Sequence, residues 1–177
     1  KEGTWFHYKK DGTINNFSVA PWLEWYNTQA NNLQDNIFAN SPLYIDILFK
    51  KLQLYKHDFN NLSLKVTPKD KGHKVLLSNK LIKGQVILAN NIKNNAINID
   101  LDYLHLNSSS KHYSSLVKPE QLTPLNININ SLYYNDKLIG SLKVKTKKLK
   151  KAFVIHSLAL KSPAYELKLI GKWQNIK

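Results

Sequence analysis

The sequence predicts a mainly β protein: a strongly curved, mostly antiparallel sheet of ten to twelve strands, forming a half-pipe groove, with one amphipathic helix packed on it. Apolar and polar side chains alternate along most of the chain, which is typical of strands with one buried face. Turn-forming residues separate the alternating runs. A sequence repeat and regular slips in the alternation predict that this sheet is long and bent.

The alternation is seen in residues 43–47, 97–102, 125–130, 142–145 and 165–173, where Ile170 is the exception. Turns between strands are predicted where Asp, Asn, Gly, Ser and Pro cluster, at Asp11-Gly12, Asp70-Lys71-Gly72, Asn135-Asp136-Lys137 and Ser162-Pro163. The polar run 108–121 is predicted to be one long surface loop.

Residues 1–40 depart from the pattern. The turn signal at Asp11-Gly12 predicts a hairpin over residues 4–19. Aromatic and aliphatic residues then recur at spacings of three, four and seven, which predicts an amphipathic helix over about 21–38. Whether this helix fills the groove is left open.

Two pairs of segments repeat. Residues 41–47 resemble residues 123–129, and residues 63–66 resemble residues 141–144. This repetition predicts stacking of one β unit. The predicted organisation is an N-terminal hairpin plus helix at 1–40 and a repeated sheet at 41–177. Its two units cover about 41–90 and 123–175, within a single structural unit that is a fragment of a larger protein.

The alternation also slips by one residue within strands. Apolar positions change parity between Ile47 and Leu52, between Leu101 and Leu104, and between Ile155 and Leu158. Such a slip turns the next side chains to the opposite face unless a β-bulge absorbs it. We therefore expect bulges at these places, and a sheet bent around its apolar side.

Composition excludes several kinds of chemistry. The formal net charge is +14, and the sequence contains no Cys, no Met and no Arg. Disulfides, thiolate catalysis and cysteine-based zinc sites are therefore excluded. The six His are scattered, and no phosphate loop or hydrolase motif occurs. We expect no metal, no cofactor, no catalytic residue and no enzyme activity.

The order and spacing of several weak motifs along this chain carry a family resemblance. The motifs are Leu122–Leu132, Leu138–Val144, Val154–Ser162 and Leu167–Trp173, preceded by Gly84–Ile87 with Ile97–Leu106 and by Gly12–Ile14 with Trp22. Together they cover roughly residues 12–175. In this order the sequence resembles AsmA-like proteins of the YhdP type.

The resemblance implies a periplasmic protein of the bacterial envelope, anchored to the inner membrane by a transmembrane helix outside this sequence. It also implies a bridge-like lipid-transfer protein whose apolar groove holds phospholipid acyl chains and moves phospholipid between inner and outer membranes. The implied partners are phospholipid, both membranes through other parts of the protein, and neighbouring β-segments of the same full-length chain.

The alternation gives candidates for the lipid-contacting wall, whose role would be passive apolar contact. They are Leu125, Ile127, Ile129, Leu142, Val144, Phe153, Ile155, Tyr165, Leu167, Leu169 and Trp173.

Two alternatives stay open. The chain could be a structural or interaction module of the envelope with a closed core, or a basic domain that binds nucleic acid or a membrane surface. The dense lysine run 143–151 could bind a phosphate backbone or anionic lipid headgroups, but it is most simply a solvated edge that blocks edge-to-edge pairing. The absence of Arg argues against nucleic acid, since base readers favour the guanidinium fork. The amount of exposed apolar surface separates a groove from a closed core.

Overall fold

The protein forms a single ten-stranded sheet. The structure, a computed structural model, describes residues 8–18, 43–54, 57–89, 95–107, 122–149 and 152–174. The strands are β1 Tyr8–Ser18, β2 Leu43–Leu54, β3 His57–Lys69, β4 Gly72–Ser78, β5 Ile82–Ala89, β6 Ile97–Leu106, β7 Leu125–Tyr134, β8 Lys137–Leu149, β9 Ala152–Lys161 and β10 Glu166–Gln174.

Strand order in space equals strand order in sequence, from β1 at one edge to β10 at the other. The sheet is not closed. Seven neighbouring pairs are antiparallel, whereas β1–β2 and β6–β7 are parallel. Strands spaced by ~4.8 Å give a sheet about 43 Å across. Both copies of the sequence repeat begin with a strand, β2 or β7, that pairs in parallel with the strand before it.

Three of the four predicted turns are confirmed. Lys69 pairs with Gly72 and Tyr134 with Lys137, so each hairpin has a two-residue loop. Asn135 and Asp136 both have positive φ, which matches the right-handed twist of a hairpin. At Ser162, the side-chain oxygen accepts hydrogen bonds from the backbone N–H groups of Ala164 and Tyr165.

Two of the three predicted bulges are present, and the bulge predicted between Ile47 and Leu52 is absent. Lys83 pairs with Tyr103 and Gly84 with Leu101, so β6 inserts Asp102 as an extra residue. On β9, the extra residue relative to β8 is His156, because Lys145 pairs with Ser157 and Thr146 with Ile155. Each bulge lies where the alternation changes parity, so the apolar residues before and after it stay on one face.

The slip in β2 is absorbed differently. Phe49 pairs with Leu62 and Leu52 with Phe59 in continuous register, so both strands change parity at the same level. Asn61, beside the change, has φ 52°, in the left-handed region that Asn tolerates. These four apolar residues form a buried cluster on one face of the sheet.

The structure of residues 8–18 differs from the predicted N-terminal hairpin. These residues form the uninterrupted strand β1 and pair in parallel with β2, so the predicted turn at Asp11-Gly12 and the hairpin built on it are wrong. The predicted helix over 21–38 and the predicted loop 108–121 lie outside the described residues. Among the residues that the structure describes, there is no helix long and apolar enough to cross a membrane.

Candidate functional site

The sheet carries two unbroken rows of apolar residues on one face, called here the apolar face. Register pairs each member with the next, from β2 to β10. Row one is Ile45, Val66, Val75, Val86, Ile99, Ile127, Val144, Leu158 and Leu169. Row two is Ile47, Leu64, Leu77, Gly84, Leu101, Ile129, Leu142, Leu160 and Leu167. Only Gly84 contributes no side chain.

The opposite face, called the polar face, is hydrophilic at the same level of the sheet. The residues between the two rows point to this side because successive side chains alternate. In strand order they are Asp46, Lys65, Leu76, Gln85, Asp100, Asn128, Lys143, Ala159 and Lys168.

Polar side chains on this face bond across strands. Lys65 forms an ion pair with Asp46 at 2.8 Å. Across the parallel β6–β7 pair, the Asn128 Nδ2 donates to Asp100 Oδ1 at 2.7 Å, and the Asn126 Nδ2 donates to Asn98 Oδ1 at 2.9 Å. The sheet is therefore amphipathic across nine strands.

Gly84 fills a position in row two where a side chain has no room. Its φ is +150°, and a Cβ built on it would overlap the carbonyl oxygen of Asp100 and lie 2.6 Å from the Leu101 Cα. The neighbouring strand approaches closely here because the Asp102 bulge begins at this level. The Leu101 side chain covers the glycine, so the apolar surface continues across it.

Burial of the apolar face differs between its middle and its edge. Leu101 and Ile129, on the neighbouring strands β6 and β7 near the middle of the sheet, are only 4% and 3% exposed. On the edge strand β10, Leu167, Leu169 and Trp173 are about half exposed. The rows therefore run from a well-packed centre to an edge where apolar side chains meet solvent.

The predicted wall residues lie in strands β7 to β10, with Tyr165 in the turn before β10. The predicted residues that belong to rows one and two lie on the apolar face, because the register of the strands pairs them with one another. Ile155 pairs with Thr146, and Phe153 pairs with Trp173. The Tyr165 hydroxyl donates to the Ile139 carbonyl at 2.8 Å, which ties the turn to β8. Their contact with lipid stays a prediction.

The sequence-based list missed the first half of both rows. Register extends the same surface through β2 to β6, where it includes Ile45, Val66, Val75, Val86 and Ile99. The sequence pattern that identifies these residues was available, because strands β2 to β6 show the same alternation of apolar and polar residues as β7 and β8. In the described part of the chain, no group of three or more His, Asp or Glu side chains could hold a metal ion.

The fold therefore belongs to the class of open β-sheets built from repeated units. One face of the sheet is continuously apolar, and the other face is polar. The family model described as YhdP protein matches residues 9–177. The chain therefore belongs to the YhdP family, in agreement with the AsmA-like resemblance of its motifs. Neither the curated proteins nor the solved structures contain a match.

Proposed function

We propose that this chain is a segment of an envelope lipid-transport protein. Its apolar face would hold phospholipid acyl chains and help to move phospholipid between inner and outer membranes. Membership of the YhdP family supports an envelope-related role. The observation that carries the proposal is the pair of apolar rows, which continue without a polar interruption across nine strands.

The energetics favour a passive apolar wall. Two acyl chains of about sixteen carbons cost on the order of 25 kcal/mol in water, at ~0.8 kcal/mol per CH₂. A face that offers similar aliphatic contacts at every ~4.8 Å step removes much of this cost at each position. Lipid would then move along the sheet through sites of similar energy, without catalysis and without a nucleotide.

Shape and location are part of the same proposal. Bulges bend the strand that carries them and increase its twist. The bulges at Asp102 and His156 would turn the sheet toward its apolar side and form a half-pipe around the acyl chains. The protein would lie in the periplasm, with a transmembrane anchor outside the sequence described here.

One observation favours a second candidate, a structural or interaction module with a closed core. Phe49, Leu52, Phe59 and Leu62 are each less than 8% exposed and pack together like an ordinary core. In this case the apolar face near β2 and β3 would be filled by protein, and lipid would have no place there.

Organic extraction of the purified chain, followed by mass spectrometry, separates the two candidates. We expect stoichiometric phospholipid that remains bound in high salt, because acyl contacts are not screened. A mock-purified protein of similar charge is the control. A stable monomer that yields no lipid would contradict the groove and favour the closed module.

A matched pair of substitutions tests passage in the full-length protein. Leu169 on the apolar face and Leu76 on the polar face are 44% and 38% exposed, so both sites tolerate a polar side chain. We expect Leu169→Asp to stop phospholipid passage, since a carboxylate against acyl chains is strongly unfavourable. Leu76→Asp should leave passage intact. Equal behaviour of the two folded variants would refute the assignment.

A further inference from the structure

The polar face of β8, β9 and β10 carries a group of lysines, called here the lysine patch: Lys143, Lys145, Lys147, Lys161, Lys168 and Lys172. All six are exposed. Between Lys137 and Gln174 the sequence has ten Lys and one acidic residue, Glu166. Within the described residues, Glu166 pairs with Lys168 at 3.2 Å, and no ion pair is formed by the other five lysines.

Small side chains on β9 separate the lysines of β8 from those of β10. Lys143 and Lys145 pair in register with Ala159 and Ser157, and Ala159 pairs on its other side with Lys168. Two adjoining depressions, of about 500 and 370 Å³, share Ser157 and Ala159 in their walls. The ammonium groups therefore border a shallow trough, about two strand spacings or ~10 Å wide.

Ile170 is the second unusual feature of this surface. It is 80% exposed, more than the other exposed large hydrophobic residues of the described chain, and it borders the smaller depression. It lies on the polar face between Lys168 and Lys172 and opposite the His156 bulge. An aliphatic side chain surrounded by ammonium groups matches the boundary between phosphate headgroups and acyl chains in a bilayer.

We propose that the lysine patch and Ile170 dock the polar face of β8 to β10 onto the surface of an anionic phospholipid bilayer. The lysines bind headgroup phosphates, and Ile170 enters the acyl boundary. This contact lies on the opposite face from the proposed groove and goes beyond the transport function. A soluble polyanion such as RNA would satisfy the lysines but would leave Ile170 in water, so a bilayer fits both features.

Vesicle co-sedimentation of the purified chain tests the proposal. The probes are phosphatidylcholine vesicles with and without phosphatidylglycerol. We expect binding only to the anionic vesicles. A lysine near an anionic surface contributes ~1 kcal/mol, or about fivefold in binding, so the triple variant K143Q/K145Q/K172Q should bind about 100-fold more weakly.

The chain offers a control with the same net charge. K51Q/K65Q/K83Q removes three lysines that pair with Asp58, Asp46 and Asp102 on the other half of the sheet. This variant should keep most of its vesicle binding. Equal losses in the two triple variants would mean that overall charge attracts the vesicles, and would overturn the assignment to this surface.

Ile170 distinguishes a bilayer from a soluble polyanion. Ile170→Ser should weaken vesicle binding several-fold and leave retention of single-stranded RNA unchanged, and Ile170→Leu should restore vesicle binding. Unchanged vesicle binding by Ile170→Ser would overturn the proposal, as would tighter binding of RNA than of anionic vesicles. Leu167→Asp, at a 51% exposed position of the apolar face outside the walls of both depressions, should stop phospholipid passage but keep vesicle docking. A failed groove and a failed docking surface therefore give different results.

Discussion

The two halves of the sheet share their apolar rows and differ in almost everything around them. The first half, β2 to β6, pairs three of its six strand lysines with aspartates, at Lys51–Asp58, Lys65–Asp46 and Lys83–Asp102. The second half, β7 to β10, has a single ion pair between lysine and a carboxylate in its described residues, Lys168–Glu166. Within the described strands, three lysines of the first half and seven of the second form no ion pair, so the second half is the more cationic.

The two halves also differ in how deeply the side chains of the apolar face are buried. The first half contains the buried cluster of Phe49, Leu52, Phe59 and Leu62. The second half ends at β10, where Leu167 and Leu169 are 51% and 44% exposed. One repeated pattern therefore produces a first half with a buried cluster and a second half whose edge strand exposes apolar and cationic side chains. The comparison teaches that the alternation shared by both halves determines the strands of the sheet. The residues beyond the two apolar rows make the halves differ in packing and charge.

The largest expected effect tests whether stability is concentrated in the first half. Phe59 is 6% exposed within the cluster, so Phe59→Ala should lower the free energy of unfolding by about 3–5 kcal/mol. Leu167→Ala, at an exposed site, should cost under about 1 kcal/mol. Urea unfolding followed by circular dichroism measures both. Similar losses would mean that the two halves are equally packed.

The glycines of β5 and β10 give a second contrast. Gly84 has φ +150° and no room for a Cβ, whereas Gly171 meets only the Leu169 Cδ2, at 3.7 Å. Gly84→Ala should cost about 1–3 kcal/mol through backbone strain. Gly171→Ala should be neutral, or stabilising by up to about 1 kcal/mol. The same unfolding assay checks this, and a tolerated Gly84→Ala would contradict the close approach at the bulge.

Much of this fold could be predicted from alternation alone. The strands, three turns and the bulges at Asp102 and His156 follow from parity and turn chemistry, which are local properties of the sequence. The placement of the β7 to β10 apolar residues on one face follows from the same parity. The fold class, mainly β in one open sheet, was reached in this way.

Strand direction could not be read from alternation. A period of two is the same in parallel and antiparallel strands, so the parallel pairs β1–β2 and β6–β7 were missed. Connection length was the available signal. A hairpin needs two to five residues, whereas about 18 residues separate β6 from β7, which is long enough for the crossover that parallel strands require.

Thr146, on β8, gives a further contrast between the two repeats. Its Oγ1 accepts from the Leu125 N–H at 2.6 Å and donates to the Leu125 carbonyl at 3.2 Å, so the side chain extends the β7–β8 ladder. The corresponding residue of the first repeat is Pro68, which has no such group. Thr146→Val should cost about 1 kcal/mol. Thr146→Ser, which keeps the hydroxyl, should cost less in the same unfolding assay.

The smallest effect concerns the lysines. Lys65 and Asp46 form an exposed pair, with side chains 50% and 45% exposed, so Lys65→Gln should cost only a few tenths of a kcal/mol, and less in high salt. Lys143 lies among like charges, so Lys143→Gln should be neutral or slightly stabilising. Unfolding in low and high salt separates these cases. A loss of stability in Lys143→Gln that salt removes would mean that this lysine has a carboxylate partner in solution. The lysine patch would then serve stability, as the lysines of the first half do, and the contrast between the halves would fail.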